Sequence, residues 1–422
     1  MATADAAVPP APRPRVARLS AAWFGAALAL TTATQLRVGP VGPGELLLLA
    51  WLGFQFVRLL LEPAVFVPRE ARPVLLFWAL AVPLLLAGWL SRLLLGLPGN
   101  SSTYYDAAAL VLSAVSIVAF VLQPHLPERV RTAAAAMLVT AVLPLGLLLA
   151  AAVAGVGAGP LKIWAGGFLV RFMGWSTNPN QTALLMLPMP LIGLFLRSQA
   201  RTRLHRLWWG GMAAAAAVIG VLTLSDSVIV AWALCAGAFL VLATARVVTT
   251  RTGGVLRQAA LRVILPFVLV VGGGAVVVPL VARVLSAAAA LSGSSQGEAR
   301  FVIWGNGVRA ISHSPLVGVG PGSHSGFFGP FEGFEVHNTY IDWATNTGVL
   351  GITLYLALLV WAGVRALRAG SHTRLMILLC MGVFSTFHYV LRQPSFWFYV
   401  LVVAFAATPA VASRGRPAPV EG

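Results

Sequence analysis

Apolar runs of membrane-spanning length recur along nearly the whole chain, and the short gaps between them hold most of its charge. A helix crossing the hydrocarbon core of a bilayer needs about 20 predominantly apolar residues. The runs fall at Leu19–Leu36, Glu45–Leu61, Pro73–Leu95, Tyr104–Leu122, Thr132–Val153, Thr177–Leu196, Leu207–Leu224, Val228–Ala245, Leu261–Leu285, Thr339–Val364, Leu375–Val390 and Phe396–Val411. They predict an all-α integral membrane protein with about twelve transmembrane helices. The last two runs are short, and Gln393-Pro394 supplies a turn between them.

Charge then sets orientation. Only 10% of the residues are charged, against about 25% in soluble domains, so the apolar excess must face lipid. A net charge of +17 would suggest nucleic acid in a soluble protein. Here the arginines sit between spans and no basic stripe crosses a soluble fold, which excludes nucleic acid as a partner. Cytoplasmic loops carry an excess of Lys and Arg. With the N-terminus in the cytoplasm, most of the 29 basic residues fall on that side, among them Arg58, Arg69, Arg72, Arg129, Arg131, Arg197, Arg201, Arg203, Arg206, Arg365, Arg368 and Arg374. This predicts a multi-pass protein of the cytoplasmic membrane with both termini cytoplasmic.

The expected organisation is an Ala- and Pro-rich disordered N-terminus over 1–17, a membrane domain over 18–411 and a cytoplasmic tail over 412–422. Arg13, Arg15 and Arg18 before Leu19–Leu36 suggest a signal peptide. The run is long for one and no small-x-small cleavage site follows, so a first transmembrane helix is the better reading. Cys235 and Cys380 both lie inside apolar runs and read as small buried hydrophobes rather than a disulfide framework.

One connection is long. Residues 286–338 follow the ninth span and therefore lie outside the membrane, and structureless loops of this length are uncommon unless functional. Glu298–Ser312 reads as a short amphipathic helix with Phe301, Trp304, Val308 and Ile311 on one side, ended by Pro315. Pro315–Gly322 is glycine-rich: a tight turn against the membrane surface, or a weak phosphate-loop signal. Asn338 is a good N-cap for the tenth span, with Asp342 in its first turn. His337 then sits beside a positive helix end, which favours the neutral imidazole that a general base requires. The plainer alternative is a surface histidine at a helix entrance. His313, His324, His337 and Glu335 show no ligand spacing of a helical metal site, and no metal or cofactor is expected.

The segments Arg300-Phe-Val-Ile-Trp304, Ser314-Pro-Leu-Val-Gly-Val-Gly-Pro-Gly322, His337-Asn-Thr-Tyr340 and Gly348-Val-Leu-Gly351 together resemble the O-antigen ligase and O-antigen polymerase family. The block Arg171-Phe-Met-Gly-Trp-Ser-Thr-Asn-Pro-Asn180 resembles the same family's Asn-Pro-Asn signature before a span. The resemblance implies a metal-independent, GT-C-type glycosyltransferase working outside the cytoplasmic membrane. It would move a glycan from an undecaprenyl-diphosphate carrier to a hydroxyl on a glycan, lipid or protein acceptor. Arg300 would hold the donor diphosphate and His337 would assist the acceptor hydroxyl. Arg309 and Arg171 are further candidate phosphate contacts, and Asn178, Asn180, Gly320, Gly322 and Asn338 further candidate substrate contacts.

Two positions depart from the family pattern. Ser225-Asp226-Ser227 stands where relatives often carry Ser-Arg, and Asn346 stands where an acidic residue is common. Two other functions compete: a transporter or flippase of lipid-linked glycans, and a non-catalytic partner in envelope assembly. The spans hold few ionisable residues away from their ends, which disfavours the first; Asp226 favours the second.

Overall fold

The computed structural model describes residues 14–61, 67–97, 101–156, 161–166, 170–251, 296–322, 331 and 334–406. The apolar runs fold as helices α1 (Pro14–Leu30), α2 (Pro43–Leu61), α3 (Arg72–Leu94), α4 (Ser101–Val121) and α5 (Leu126–Val153). A two-residue antiparallel ribbon follows, β1 (Trp164–Ala165) with β2 (Arg171–Phe172). The chain continues through α6 (Pro179–Met186), α7 (Met189–Gln199), α8 (Arg203–Leu222) and α9 (Asp226–Arg251). Then come α10 (Gln296–Ile311), α11 (Thr339–Arg368), α12 (His372–Ser385) and α13 (Pro394–Phe405). The expected ninth span, 261–285, lies outside the described residues.

Six stretches among the described residues are long and apolar enough to cross a membrane: Pro43–Leu61, Arg69–Leu94, Thr103–Val121, Leu126–Val153, Pro179–Gln199 and Thr339–Arg368. Asp226–Phe239, His372–Ser385 and Pro394–Phe405 are shorter apolar helices. Helix α2 shows what the apolar surface is for. Gly44, Leu48 and Trp51 are buried, while Leu46, Leu49, Phe56 and Leu60 are exposed. An outer face this apolar is tolerable only against lipid.

Two boundaries differ from the sequence expectation. α1 begins at Pro14, inside the segment expected to be disordered. The expected span Thr177–Leu196 is one membrane-length stretch, Pro179–Gln199, built of two helices that meet at Pro188, whose nitrogen cannot donate to the ladder. The short last run proves central: every residue of α13 is buried, as befits a helix apolar on all sides. Its Trp397 joins Phe77, Trp78, Trp343 and Tyr355 in one aromatic cluster.

The glycine-rich turn has a specific seat. Gly348 takes a non-helical conformation (φ 65°, ψ −167°) and breaks α11. Residues 315–320 fill the break: the N–H groups of Val319 and Gly320 donate to the carbonyls of Thr345 and Asn346 (2.7 and 3.0 Å), and the Val349 N–H donates to the Pro315 carbonyl (2.8 Å). On the other side Gly320 lies against α3, where a Cβ would meet the Trp89 nitrogen at 2.6 Å. Arg92 closes the turn by donating to the Pro321 carbonyl (3.0 Å).

Helix α10 buries a different face from the one its large apolar residues suggest. Ile303, Asn306 and Ala310 are buried, whereas Phe301 and Val308 are exposed. Gly307 explains the choice: a Cβ there would meet Val336 and Ile341 side chains at 2.7 Å. Small residues let α10 and α11 approach closely, as helices do in membranes. The bulky residues turn outward.

Gly348→Ala should therefore detach the turn from α11, since its Cβ would strike the Leu316 carbonyl and its φ, ψ pair suits glycine alone. The expected loss is about 1–3 kcal/mol, read as a lower melting temperature in detergent. Gly211→Ala, where a Cβ meets nothing within 4 Å, is the matched control and should not lower it.

Candidate active site

The entrance of α11 organises the site. Asn338 caps the helix: its Oδ1 accepts from the N–H groups of Tyr340 and Ile341 (3.0 and 3.2 Å). Its Nδ2 donates to the Thr386 carbonyl (3.1 Å), and Thr339 Oγ1 donates to the His388 carbonyl. These bonds staple the turn between α12 and α13 to the start of α11. His337, immediately before the cap, is held in a left-handed conformation (φ 54°). Its Nδ1 lies 3.8 Å from Glu335 Oε2. Glu335 is paired in turn with Arg392, and Arg392 also pairs with Asp106 at 2.9 Å.

A second group of residues comes from β2, α6, α9 and α10. Asn178 caps α6 by accepting from the Asn180 N–H (2.9 Å), and Pro179 starts the helix. Asn180 Oδ1 then accepts from Arg171 Nη2 (2.9 Å), while Arg171 Nε donates to the Thr223 carbonyl (2.8 Å). Asp226, in the first turn of α9, acts electrostatically on both Arg171 and Arg300. Next to it Ser227 Oγ is 2.8 Å from His388 Nε2, and 3.0 Å from Ser225 Oγ. The His388 ring stacks on Phe384 with centroids 4.3 Å apart.

Charge ties the two groups together. Burial lowers the pKa of His337, Arg300 and Arg392 lower it further, and Glu335 opposes them. His388 is pushed down to about 3 by burial, with Arg300, His337 and Arg171 adding to the effect. Both imidazoles are therefore neutral near pH 7. The sequence reading assigned neutrality at His337 to the helix end; burial and two guanidiniums act in the same direction. Arg392 is held up by Glu335 and Asp106 against the effect of burial. Arg300 and Arg171 are lowered by burial and supported by Asp226, and guanidinium groups stay protonated in proteins. At 3.8 Å the Glu335 carboxylate is beyond hydrogen-bond distance of His337 and acts on it through charge.

Arg300, His337 and Arg171 all lie within electrostatic reach of His388, with Asn180 bonded to Arg171. Asn178 and Asn338 serve as helix caps. Gly320 and Gly322 pack against α3: the Gly320 N–H is taken by Asn346, and a Cβ at Gly322 would meet Arg92 Nη1 at 2.6 Å. Arg309 is exposed and sits on the opposite face of α10 from Arg300, because nine residues make about two and a half turns. His313 is exposed at the end of α10 with Nδ1 3.1 Å from the Arg309 carbonyl, and His324 lies outside the described residues. Sequence reasoning missed His388, Arg392 and Asp106, and weighed Glu335 only as a metal ligand. The one available signal was the polar turn that cuts the last two apolar runs short.

The low pKa of His388 has a stability consequence. The free imidazole titrates near 6.5 and the folded one near 3, so between those values acid protonates the unfolded chain first. Stability contributed by this residue is complete above about pH 6.5 and falls with acidification down to about pH 3. His388→Gln removes that titration and keeps a polar group opposite Ser227. Melts from about pH 4 to about pH 7.5 should show a shallower slope than wild type. An unchanged slope would mean that this imidazole titrates normally.

No curated protein matches the chain. The family model described as O-antigen ligase matches residues 211–356. That stretch holds most of α8, all of α9 and α10, the glycine-rich turn, His337 and the first half of α11; Arg171, His388 and Arg392 lie outside it. Over residues 211–356, this multi-pass membrane protein is similar to the O-antigen ligase family.

Proposed function

We propose that this protein is an extracytoplasmic glycan ligase or polymerase, which transfers a glycan from an undecaprenyl-diphosphate carrier to an acceptor hydroxyl in cell-envelope or surface-polysaccharide assembly. The observation that carries this reading is the meeting of Arg300 and Arg171 with a neutral His337, itself backed by Glu335. His337 takes the proton of the acceptor hydroxyl. The oxygen attacks the anomeric carbon of the donor sugar, and the bond from that carbon to the diphosphate oxygen breaks with inversion. The diphosphate leaves with its added charge held by Arg300 and Arg171, groups that suit phosphate oxygens and need no proton transfer to act. These guanidiniums supply the neutralisation that a metal ion supplies in other sugar transferases. Glu335 steadies the imidazolium formed at His337.

The same reading sets the topology. Arg58 and Arg129 lie within Coulombic reach of each other, as do Arg365 and Arg374, and Arg131 bonds Gln199 at the end of α7; the positive-inside rule favours a cytoplasmic position for these helix ends. Twelve spans in the inner membrane, with both termini cytoplasmic, then leave the site on the outer face. The acceptor is a glycan, a lipid or a protein; ligase and polymerase differ only in that choice.

Transfer from a defined undecaprenyl-diphosphate glycan to candidate acceptors, followed by mass analysis of the product, tests the proposal. Arg300→Ala should lower the rate by about 10²–10³-fold and His337→Ala by about 10²–10⁴-fold, with both variants still inserted in the membrane. Glu335→Gln should lower turnover by a smaller factor and leave the donor's apparent affinity unchanged. Full activity in both alanine variants would remove the site assignment.

A further inference from the structure

A cavity of about 850 Å³ opens between α2, α3 and α4, in the half of the bundle remote from the candidate active site. Dedicated ligand pockets span about 300–1,000 Å³. Leu52, Leu75, Val82, Ala114 and Val118 give it apolar walls. The polar side chains Gln55, Arg58 and Gln123 gather at one end, beside the last turn of α2 and the end of α4. On α4 and the residues after it the lining runs from Ala114 to Pro124. The helical part, to the end of α4 at Val121, is about 10 Å at helical rise, within the ~15 Å of one leaflet. The cavity thus fits inside one leaflet and has a hydrocarbon interior and a cationic mouth.

A second guanidinium stands behind the mouth. Arg129 is within Coulombic reach of Arg58 and is buried at 3% exposure. Its Nη2 donates to Ser20 Oγ (3.2 Å), and its Nε and Nη1 have no hydrogen-bond partner among the described residues. The guanidinium also lies 5.9 Å from the Phe120 ring centroid, which compensates in part; a buried cation without a paired anion remains costly, and an anion at the mouth would relieve it.

We propose that this cavity binds one anionic glycerophospholipid, with acyl chain between α2, α3 and α4 and phosphate at Arg58. The polyprenyl donor of the proposed reaction is a poor occupant, because its diphosphate must reach Arg300 at the other membrane face, roughly 30 Å away. The bound lipid has a structural consequence. Helix α3 supports the glycine-rich turn through Gly88, Trp89 and Arg92, and α4 carries the Asp106 that anchors Arg392. A lipid wedged among these helices holds the scaffold under the site.

The test is native mass spectrometry of the full-length protein in detergent, titrated with phosphatidylglycerol, phosphatidylcholine or undecaprenyl phosphate. Arg58→Gln removes the charge at the mouth. Gly53→Leu fills the cavity from a position where a Cβ meets no atom within 4 Å. Wild type should retain one phosphatidylglycerol, and Arg58→Gln should weaken it about fivefold, the weight of one cationic side chain at an anionic headgroup layer. Gly53→Leu should lose retention of both phospholipids and lose any rise in melting temperature on adding phosphatidylglycerol. If Arg58→Gln fails to fold, Gly53→Leu carries the test alone. Equal retention by wild type and Gly53→Leu, no retention by wild type, or a preference for phosphatidylcholine or undecaprenyl phosphate would overturn the site.

Discussion

A backbone N–H or C=O left unpaired in hydrocarbon costs several kcal/mol, and α11 breaks its own hydrogen-bond ladder at Gly348. The glycine-rich turn repairs that break, residue by residue, on both sides of Gly348. The repair needs backbone against backbone, which is why Gly318, Gly320 and Gly348 all adopt positive φ and all stand where a Cβ would collide. Its consequences are positional. The turn fixes the end of α10, Gly307 seats α10 on α11, and Arg300 shares a helix face with Ile303 and Gly307 because they are three and seven residues away. Arg300 is thus directed at the entrance of α11, where His337 sits.

At that entrance the charged groups fall into two sets with opposite balances. Arg392 serves two carboxylates, Asp106 and Glu335, and the second of these also faces His337. Arg171 and Arg300 share one carboxylate, Asp226. The first set carries a formal excess of negative charge and the second an excess of positive charge. A neutral imidazole between them can gain a proton toward the carboxylates while an anion settles on the guanidiniums. Separation of charge of this kind, fixed before any substrate arrives, needs no reorganisation at the moment of reaction.

The spans were legible in the sequence because apolar length alone decides them, and the Asn338 cap because its chemistry is local. The buried face of α10 was not. The sequence pattern assumes that the large apolar residues of an amphipathic helix mark its inner side; here Phe301 and Val308 face outward, and Asn306 and Gly307 mark the packed side. Arg309, a candidate phosphate contact from the sequence, falls on the face opposite the packed one and is exposed. His388 escaped notice because nothing near it in sequence explains it. Its partners Ser227, Thr339 and Phe384 come from three helices, and only the fold assembles them.

Asp226 stood out in the sequence as a carboxylate where relatives often place a guanidinium, and repulsion of a diphosphate was the natural inference. The fold changes its weight. Asp226 is not alone in the site: Arg171, fixed by Asn180 and the Thr223 carbonyl, and Arg300 both face it. Two cations and one anion leave a net positive charge, smaller than an arginine at 226 would give. Under the proposed reaction an entering diphosphate takes over part of the Coulombic attraction that Asp226 already exerts on both guanidiniums. Part of the Coulombic gain on binding is offset by that exchange, and the same exchange eases departure of the spent carrier. An arginine at this position would strengthen the hold on donor and product alike, which is uniform binding and does not by itself raise turnover.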